Sequence, residues 1–192
     1  MINHKKKAIF IHVQKTGGKS LRKGLGFKGG TQHEPAMVLR ERYGDHVWTR
    51  YIKIAFVRNP WDRLVSAFFY AKKGGNQSVY DLQRASYLPE TFTDFIKNVN
   101  HYATLSNEHL FKPQSFWLLD EKGDVMVDIL GRFETIDSDA RKIAKSLNIR
   151  FFRLKKINVT QHDRYREYYS DETKEIVAEV FSSDISLFKY TF

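Results

Sequence analysis

The chain has 192 residues, 42% hydrophobic and 28% charged, which predicts a single globular domain over residues 1–192 with a core of its own. The net charge of +10 favours an anionic partner, but Lys5-Lys6-Lys7 is the only compact basic run, so charge alone does not predict a nucleic-acid binder. The absence of cysteine excludes disulfides, thiolate zinc sites and a cysteine nucleophile, and no apolar run approaches the roughly 18 residues of a membrane helix.

Short apolar runs and capping residues predict strands and helices in alternation along the first half. A buried strand is predicted at residues 8–13, then a glycine-bearing loop and a helix from Lys19, and another helix begins near Pro35. A second buried strand is predicted at residues 52–57, followed by a helix with Asn59 as its N-cap. The weakly periodic residues 74–88 predict a mobile excursion.

The second half predicts an amphipathic helix from Thr91, then two strands within residues 115–130 joined by a turn at residues 121–124. A helix is predicted at residues 138–147, a strand at residues 150–154, and a last helix at residues 171–181 capped by Ser170. This order predicts an α/β fold, with a central, mainly parallel sheet flanked by helices.

The stretch IFIHVQKTGGKSL, residues 9–21, ends like a Walker A phosphate loop, but Val13 stands where that motif has its first glycine. A strand that ends in a glycine-bearing turn before a helix directs backbone N–H groups at an anion. The segment also offers hydroxyl and ammonium groups. The predicted phosphate- or sulfate-binding residues are Lys15, Thr16, Gly17, Gly18, Lys19 and Ser20.

A second stretch, FVRNPWDRLVSAFFY, places Arg58 at the end of a strand and Ser66 about two turns into the following helix. The planar guanidinium of Arg58 can hold a phosphate at two points, and Ser66 can donate its hydroxyl to the same group. A nucleotide with phosphates at both ends needs two such anion sites on adjacent strands.

Together the two stretches resemble the 5′-phosphosulfate loop and the 3′-phosphate motif of sulfotransferases, and they are most similar to the carbohydrate sulfotransferase family 2 type. That family uses PAPS (3′-phosphoadenosine 5′-phosphosulfate). The resemblance continues through ILGRFETI, NVTQHDRYREYY and the ending DISLFKYTF. It implies a P-loop-like three-layer fold and transfer of a sulfuryl group to an acceptor hydroxyl, expected on a carbohydrate, without a metal. Members usually carry Pro at position 14 and Thr at position 19, where this chain has Gln14 and Lys19.

The resemblance also implies roles for individual residues. Lys15 aligns with the lysine that contacts the bridging oxygen of the donor, and His33 aligns with a histidine that resembles the catalytic base of uronyl 2-O-sulfotransferases. A histidine suits that role because its unperturbed pKa is about 6.5. Glu34 is the alternative base and an acceptor-binding candidate, whereas His12 is expected in the core.

Weaker assignments follow from the same resemblance. Thr160, His162 and Arg164 resemble a segment that closes over the cofactor, and Arg132 is expected either to bind the acceptor or to brace Glu134. Relatives in animals are often held in the Golgi by a membrane anchor, and no such segment is seen in this sequence. We therefore expect a cytoplasmic enzyme that has neither a membrane nor a nucleic acid as its partner.

Two alternatives remain open. The first is a P-loop kinase or NTPase using Mg-ATP, with Asp128 as a Walker B ligand after the apolar run DVMVDIL. The second is a non-catalytic module that binds acidic glycan or nucleic acid in a basic cleft.

Overall fold

The computed structural model describes residues 1–28, 33–106, 108–150, 152–154 and 163–192. These residues form four strands: β1 (Ile2–Asn3), β2 (Ala8–Ile11), β3 (Ile52–Val57) and β4 (Ile129–Arg132). They also form a 3-10 helix (Tyr165–Tyr168) and eleven α-helices: α1 (Gly18–Gly24), α2 (Ala36–Tyr43), α3 (Asp45–Arg50), α4 (Pro60–Lys72), α5 (Val79–Tyr87), α6 (Phe92–Lys97), α7 (Val99–Thr104), α8 (Ser115–Leu118), α9 (Ile136–Ser146), α10 (Asp171–Val180) and α11 (Ser182–Phe188).

The internal contacts divide the chain into two compact units. The sheet unit comprises the described residues of Met1–Arg58 and Gln114–Asn158, and the helical unit comprises those of Asn59–Pro113 and Val159–Phe192.

The sheet unit contains all four strands in the order β1-β2-β3-β4. β1 pairs antiparallel with β2, while β2, β3 and β4 run parallel to one another. The predicted central, mainly parallel sheet flanked by helices is therefore confirmed. The carboxyl ends of β2, β3 and β4 meet at one edge, which is where open α/β sheets place their ligand sites.

Alternation along the strands builds the core of the sheet unit. Phe10 and Ile54 point to the same side, where they pack against Leu21 of α1 and Ile143 of α9. The intervening residues of β2, such as Ile9 and Ile11, are also fully buried. A near-continuous apolar run is what a parallel strand buried on both faces requires.

The helical unit is organised around α4. The side chain of Asn59 accepts from the backbone N–H groups of Trp61 and Asp62, so the predicted N-cap is confirmed. Arg63 is fully buried, and its guanidinium donates to the carbonyl oxygens of Leu110 and Lys112. These bonds anchor the segment that follows α7 to α4.

Only the first part of residues 74–88 is the irregular segment that their weak periodicity predicts, because residues 79–87 form α5. Ser78 caps α5, and Arg84 on that helix is buried between the carboxylates of Asp81 and Glu108. Partners 24 residues apart, such as Arg84 and Glu108, leave no signal in a local periodicity, which is why the helix was missed.

The predicted strands within residues 115–130 are also wrong at their first half, because Ser115–Leu118 is a helical turn that buries Trp117 and Leu118 completely. The turn itself is present, and Leu119 forms a single antiparallel bridge with Val125. The segment becomes helical despite its strand-like composition, because this conformation buries the neighbouring side chains of Trp117 and Leu118.

Two further predictions need correction. Residues 152–154 form no strand; Phe152 and Leu154 pack against the core of the sheet unit instead, and residue 151 lies outside the described residues. The helix predicted to be last, capped as expected by Ser170, is followed by α11. The short elements α3 and α7 were not predicted. Among the described residues, no helix has the length and apolar character to cross a membrane.

Candidate functional site

The loop after β2 closes on itself through short-range hydrogen bonds. The hydroxyl of Thr16, which is fully buried, donates to the carbonyl oxygen of Val13 at 2.9 Å. Gly17 takes a left-handed conformation, with φ at 79°, and its carbonyl oxygen accepts from the backbone N–H groups of Ser20 and Leu21. The loop therefore has a fixed path from β2 into α1.

The two loop glycines are required by packing inside the protein. A Cβ on Gly18 would lie 1.7 Å from Nε2 of His12, and one on Gly17 would lie 2.6 Å from Cδ1 of Ile136. The sequence had suggested that these glycines make room for an anion. The structure shows that the side of Gly18 on which a Cβ would lie is filled by the imidazole of His12.

Lys15 occupies the turn of the loop with a positive φ of 65°, a conformation that non-glycine residues seldom adopt. Burial lowers the pKa of Lys15 from 10.5 to about 7, and repulsion from Arg58 and Lys19 contributes to the same shift. The three side chains thus make a strongly electropositive region, in which an anion would restore the full charge of Lys15.

Arg58 directly follows β3 and contacts the loop, since its Nη1 donates to the carbonyl oxygen of Lys15 at 3.1 Å. Its backbone is held in both directions by the side chain of Gln114, with two hydrogen bonds of 2.8 Å. The guanidinium lies over the ring of Phe133 at 4.0 Å. Gln114 and Phe133 were not predicted from the sequence, because they come from segments remote in the chain.

His33 is held against the end of β2. Its Nδ1 lies 3.0 Å from the carbonyl oxygen of His12, and because a carbonyl oxygen can only accept, Nδ1 carries the proton of this bond. When the ring is neutral, Nε2 is therefore the nitrogen that can accept a proton. The two imidazole centroids are 4.2 Å apart, and the ring of Trp117 meets His33 edge-on.

His12 is a component of this region that was assigned to the core on sequence grounds, and it is indeed only 4% exposed. Burial lowers the pKa of His12 well below its usual value, and the neighbouring His33 adds to the effect, so the imidazole is neutral near pH 7. Its Nδ1 has no hydrogen-bond partner among the described residues. The signal that could have identified it is its place, directly between a buried strand and the loop.

Glu34 and Arg132 lie in the same unit but are differently engaged. Both carboxylate oxygens of Glu34 are bound by the fork of Arg42, an arrangement that suits bracing more than proton abstraction. Arg132 ends β4, and its backbone N–H donates to the carboxylate of Asp139. It therefore lies at the same sheet edge as Arg58.

The sheet unit thus brings together one set of predicted residues: Lys15, Thr16, Gly17, Gly18, Lys19, Ser20, His33, Glu34, Arg58 and Arg132. Ser66 belongs to the helical unit, where it is buried within α4, and Arg164 is an exposed residue at the start of the 3-10 helix. Thr160 and His162 lie outside the described residues.

Asp128 does not occupy the place of a Walker B carboxylate. It immediately precedes β4, so in this parallel sheet it lies at the amino edge, opposite the loop that follows β2. Its carboxylate accepts from the backbone N–H of Lys53 and pairs with the ammonium group of the same residue at 2.8 Å. The structure therefore removes the Walker B part of the support for an NTPase.

Comparison with known proteins agrees with the geometry. The chain is 28% identical, over 133 residues, to an uncharacterized protein of Archaeoglobus fulgidus, and the match covers 69% of this chain and 98% of that protein. No solved structure matches the chain significantly. Residues 1–191 match the model described as Sulfotransferase family, which spans the loop after β2 and the residues that follow β3. This chain therefore belongs to the sulfotransferase family, of the family 2 type.

Proposed function

We propose that this protein transfers the sulfuryl group of PAPS to a hydroxyl of a carbohydrate acceptor by in-line displacement, with His33 as the general base. The observation that carries the proposal is the convergence of Lys15, Lys19 and Arg58 at the carboxyl edge of the sheet, where burial and mutual repulsion lower the pKa of Lys15. Such a cluster favours a multiply charged anion, as a phosphosulfate is.

The residues present fit a nucleotide that carries phosphate at two positions. Lys15 and Lys19 belong to the loop after β2, while Arg58 follows β3, with its main chain fixed by Gln114. We propose that the loop holds the 5′-phosphosulfate and Arg58 the 3′-phosphate. Ser66 and Arg164 remain proposed cofactor ligands, as do Thr160 and His162.

The chain's own residues would handle charge and protons as follows. When bound, PAPS supplies the sulfuryl group, and 3′,5′-diphosphoadenosine is the stable leaving group. His33 accepts the proton of the acceptor hydroxyl at Nε2 while that oxygen forms a bond to sulfur and the sulfur–oxygen bond to the phosphate breaks. The ammonium group of Lys15, fully protonated beside an anion, stabilises the charge that develops on the departing oxygen.

The test separates this proposal from an NTPase. Thermal unfolding is measured with 3′,5′-diphosphoadenosine in the absence of Mg²⁺, and separately with Mg-ATP. We expect the first to raise the Tm and Lys15→Ala to reduce that shift, while Lys122→Ala on an exposed turn leaves it intact. If only Mg-ATP raised the Tm, the proposal would be abandoned.

Catalysis and acceptor class need a second measurement, because a binding module could also retain the nucleotide. Transfer of labelled sulfate from PAPS is followed over a panel of glycans and small alcohols. We expect glycans to accept the label, and His33→Ala to abolish transfer without loss of nucleotide binding. Transfer that is unaffected by both His33→Ala and Lys15→Ala would rule out this site as the catalytic centre.

A further inference from the structure

The positive charge of the chain is concentrated in two segments. The first 33 residues contain eight lysines and arginines and no Asp or Glu, and residues 140–162 contain seven and none. The remainder holds 17 of the 32 basic residues and all 22 acidic ones, so it is net negative. The net charge of +10 is therefore a property of these two acid-free segments and not of the surface as a whole.

The structure brings described parts of the two segments together. The ammonium group of Lys6 donates to the carbonyl oxygen of Asn148 at 2.8 Å, and the Cα of Gly24 lies against Phe152. Lys6 and Gly24, together with Ile149, belong to the lining of an open groove of about 680 Å³. Its lining includes His4, Lys5, Lys6, Lys23, Lys28 and Ile149.

Three of the four lysines in this groove are exposed to solvent. Lys5, Lys23 and Lys28 are exposed, and Lys6 is half-buried. Within the part of the chain that the structure describes, none of the four forms an ion pair with a carboxylate. Four like charges along one groove repel each other, and a polyanion relieves that repulsion.

The groove is separate from the candidate sulfuryl-transfer site. Lys5 and Lys6 precede β2, and Lys23 lies near the carboxyl end of α1, whereas Lys15 and Arg58 lie at the opposite edge of the sheet. The seven residues of α1 set the two regions roughly 10 Å apart. The proposed reaction therefore leaves these lysines without a role.

We propose that this groove is an exosite for an acidic glycan, a sugar chain bearing carboxylate or sulfate groups. Flexible ammonium groups suit such dispersed anions. No Phe, Tyr or Trp lies among the groove's described lining residues, so it lacks the stacking surface that single-stranded nucleic acid requires. The choice of a glycan as the polyanion rests on the proposed function. If the acceptor is a carbohydrate, the groove could hold the same sugar chain at a second point, away from the sulfuryl-transfer site.

The test uses a heparin octasaccharide as the probe, titrated calorimetrically into the full chain without PAPS. We expect Lys5→Glu/Lys23→Glu to weaken binding at least about tenfold at low salt, because two attractive charges become repulsive. The control, Lys73→Glu/Lys122→Glu, makes the same change in net charge at exposed positions elsewhere. It should bind nearly as tightly as the unaltered protein.

Three outcomes would overturn the exosite. If the control variant bound the octasaccharide as weakly as the groove variant, net charge alone would be responsible. If an oligonucleotide of equal charge bound more tightly than the octasaccharide, the groove would be assigned to nucleic acid. If inorganic sulfate displaced the octasaccharide at equal sulfate concentration, the groove would be a small-anion site. The Tm shift with 3′,5′-diphosphoadenosine is measured on the same variants. If the unaltered protein showed no Tm shift, the proposed function alone would be contradicted. If the groove variant bound the octasaccharide as tightly as the unaltered protein, the exosite alone would be contradicted.

Discussion

His33 meets His12 at two points: its Nδ1 donates to the carbonyl oxygen of His12 at 3.0 Å, and the centroids of the two rings lie 4.2 Å apart. The hydrogen bond places the proton of His33 on Nδ1, and the contact between the two rings fixes where the imidazole lies. Because His12 is itself tight against Gly18, the proposed base and the loop after β2 are parts of one packed unit. Their geometry is therefore set by the sheet unit.

Replacing His33 should affect the reaction more than nucleotide binding. We expect His33→Ala to lower kcat by roughly 100- to 10,000-fold, the usual contribution of a general base. The dissociation constant for 3′,5′-diphosphoadenosine should change little. Glu34→Gln is the matched test of the alternative base, and it should retain activity because Arg42 already engages both carboxylate oxygens. A larger loss in Glu34→Gln than in His33→Ala would reverse the assignment.

The contact between Gly18 and His12 predicts a suppressor pair. Gly18→Ala should destabilise the protein by roughly 1–3 kcal/mol or more, because the new methyl group would collide with the imidazole. Adding His12→Ala should remove most of that penalty, giving a large coupling in a double-mutant cycle of urea unfolding. Gly123→Ala, at a turn with open space around the glycine, should instead be additive with His12→Ala. An additive Gly18 pair would contradict the packing described.

Lys15 should make stability depend on pH. Because burial lowers its pKa from 10.5 to about 7, the folded protein binds fewer protons here than the unfolded chain between those values. Its contribution to the unfolding free energy therefore rises with pH across that window. Lys15→Met should be more stable than the unaltered protein at pH 7, and the difference should vanish near pH 10.5. Parallel stability curves, measured by urea unfolding, would refute this.

The same lysine should couple nucleotide binding to proton uptake. An anion beside Lys15 raises its pKa, so at pH 8 the complex takes up a proton that the free protein lacks. Calorimetric titration with 3′,5′-diphosphoadenosine in two buffers of different ionisation enthalpy measures that uptake. It should be absent in a Lys15→Met variant that still binds; equal uptake in both proteins would place the titrating group elsewhere.

Gln114 should be required for the position of Arg58. Gln114→Ala leaves a buried N–H and a buried carbonyl of Arg58 without their partner, at about 1–3 kcal/mol for each group. We expect lower stability together with weaker binding of 3′,5′-diphosphoadenosine. Gln83→Ala on the exposed face of α5 serves as the control for stability. Normal binding by a folded Gln114→Ala variant would show that Arg58 does not need this support.

In the helical unit, Arg84 should be the least replaceable charge. Arg84→Met leaves the carboxylates of Asp81 and Glu108 buried without their cation, which should cost about 3–5 kcal/mol in urea unfolding. The exposed pair of Lys72 and Glu90 provides the comparison, and Lys72→Met should cost less than about 1 kcal/mol. Equal effects would mean that burial does not strengthen the dependence on Arg84.

Local patterns in the sequence determined much of the fold. The apolar runs before the two loops became β2 and β3, because strands buried on both faces need continuous hydrophobic side chains. Asn59 and Ser170 cap their helices as predicted, since capping depends on residues three positions apart. The glycine-bearing loop with Lys15 and the Arg-Asn-Pro after β3 carried the family resemblance for the same reason: each is contiguous.

Only the tertiary structure decided the contacts between segments that are distant in the chain. The carbonyl of His12 under His33, the amide of Gln114 on Arg58 and the pairing of Arg84 with Glu108 each join residues 21 or more positions apart. No local period encodes such a partner, so the sequence can nominate side chains for the candidate site but not the contacts that hold them in place. Folding likewise brings Lys6 to Asn148, so that Ile149 joins the lysines of the first acid-free segment in the lining of one groove.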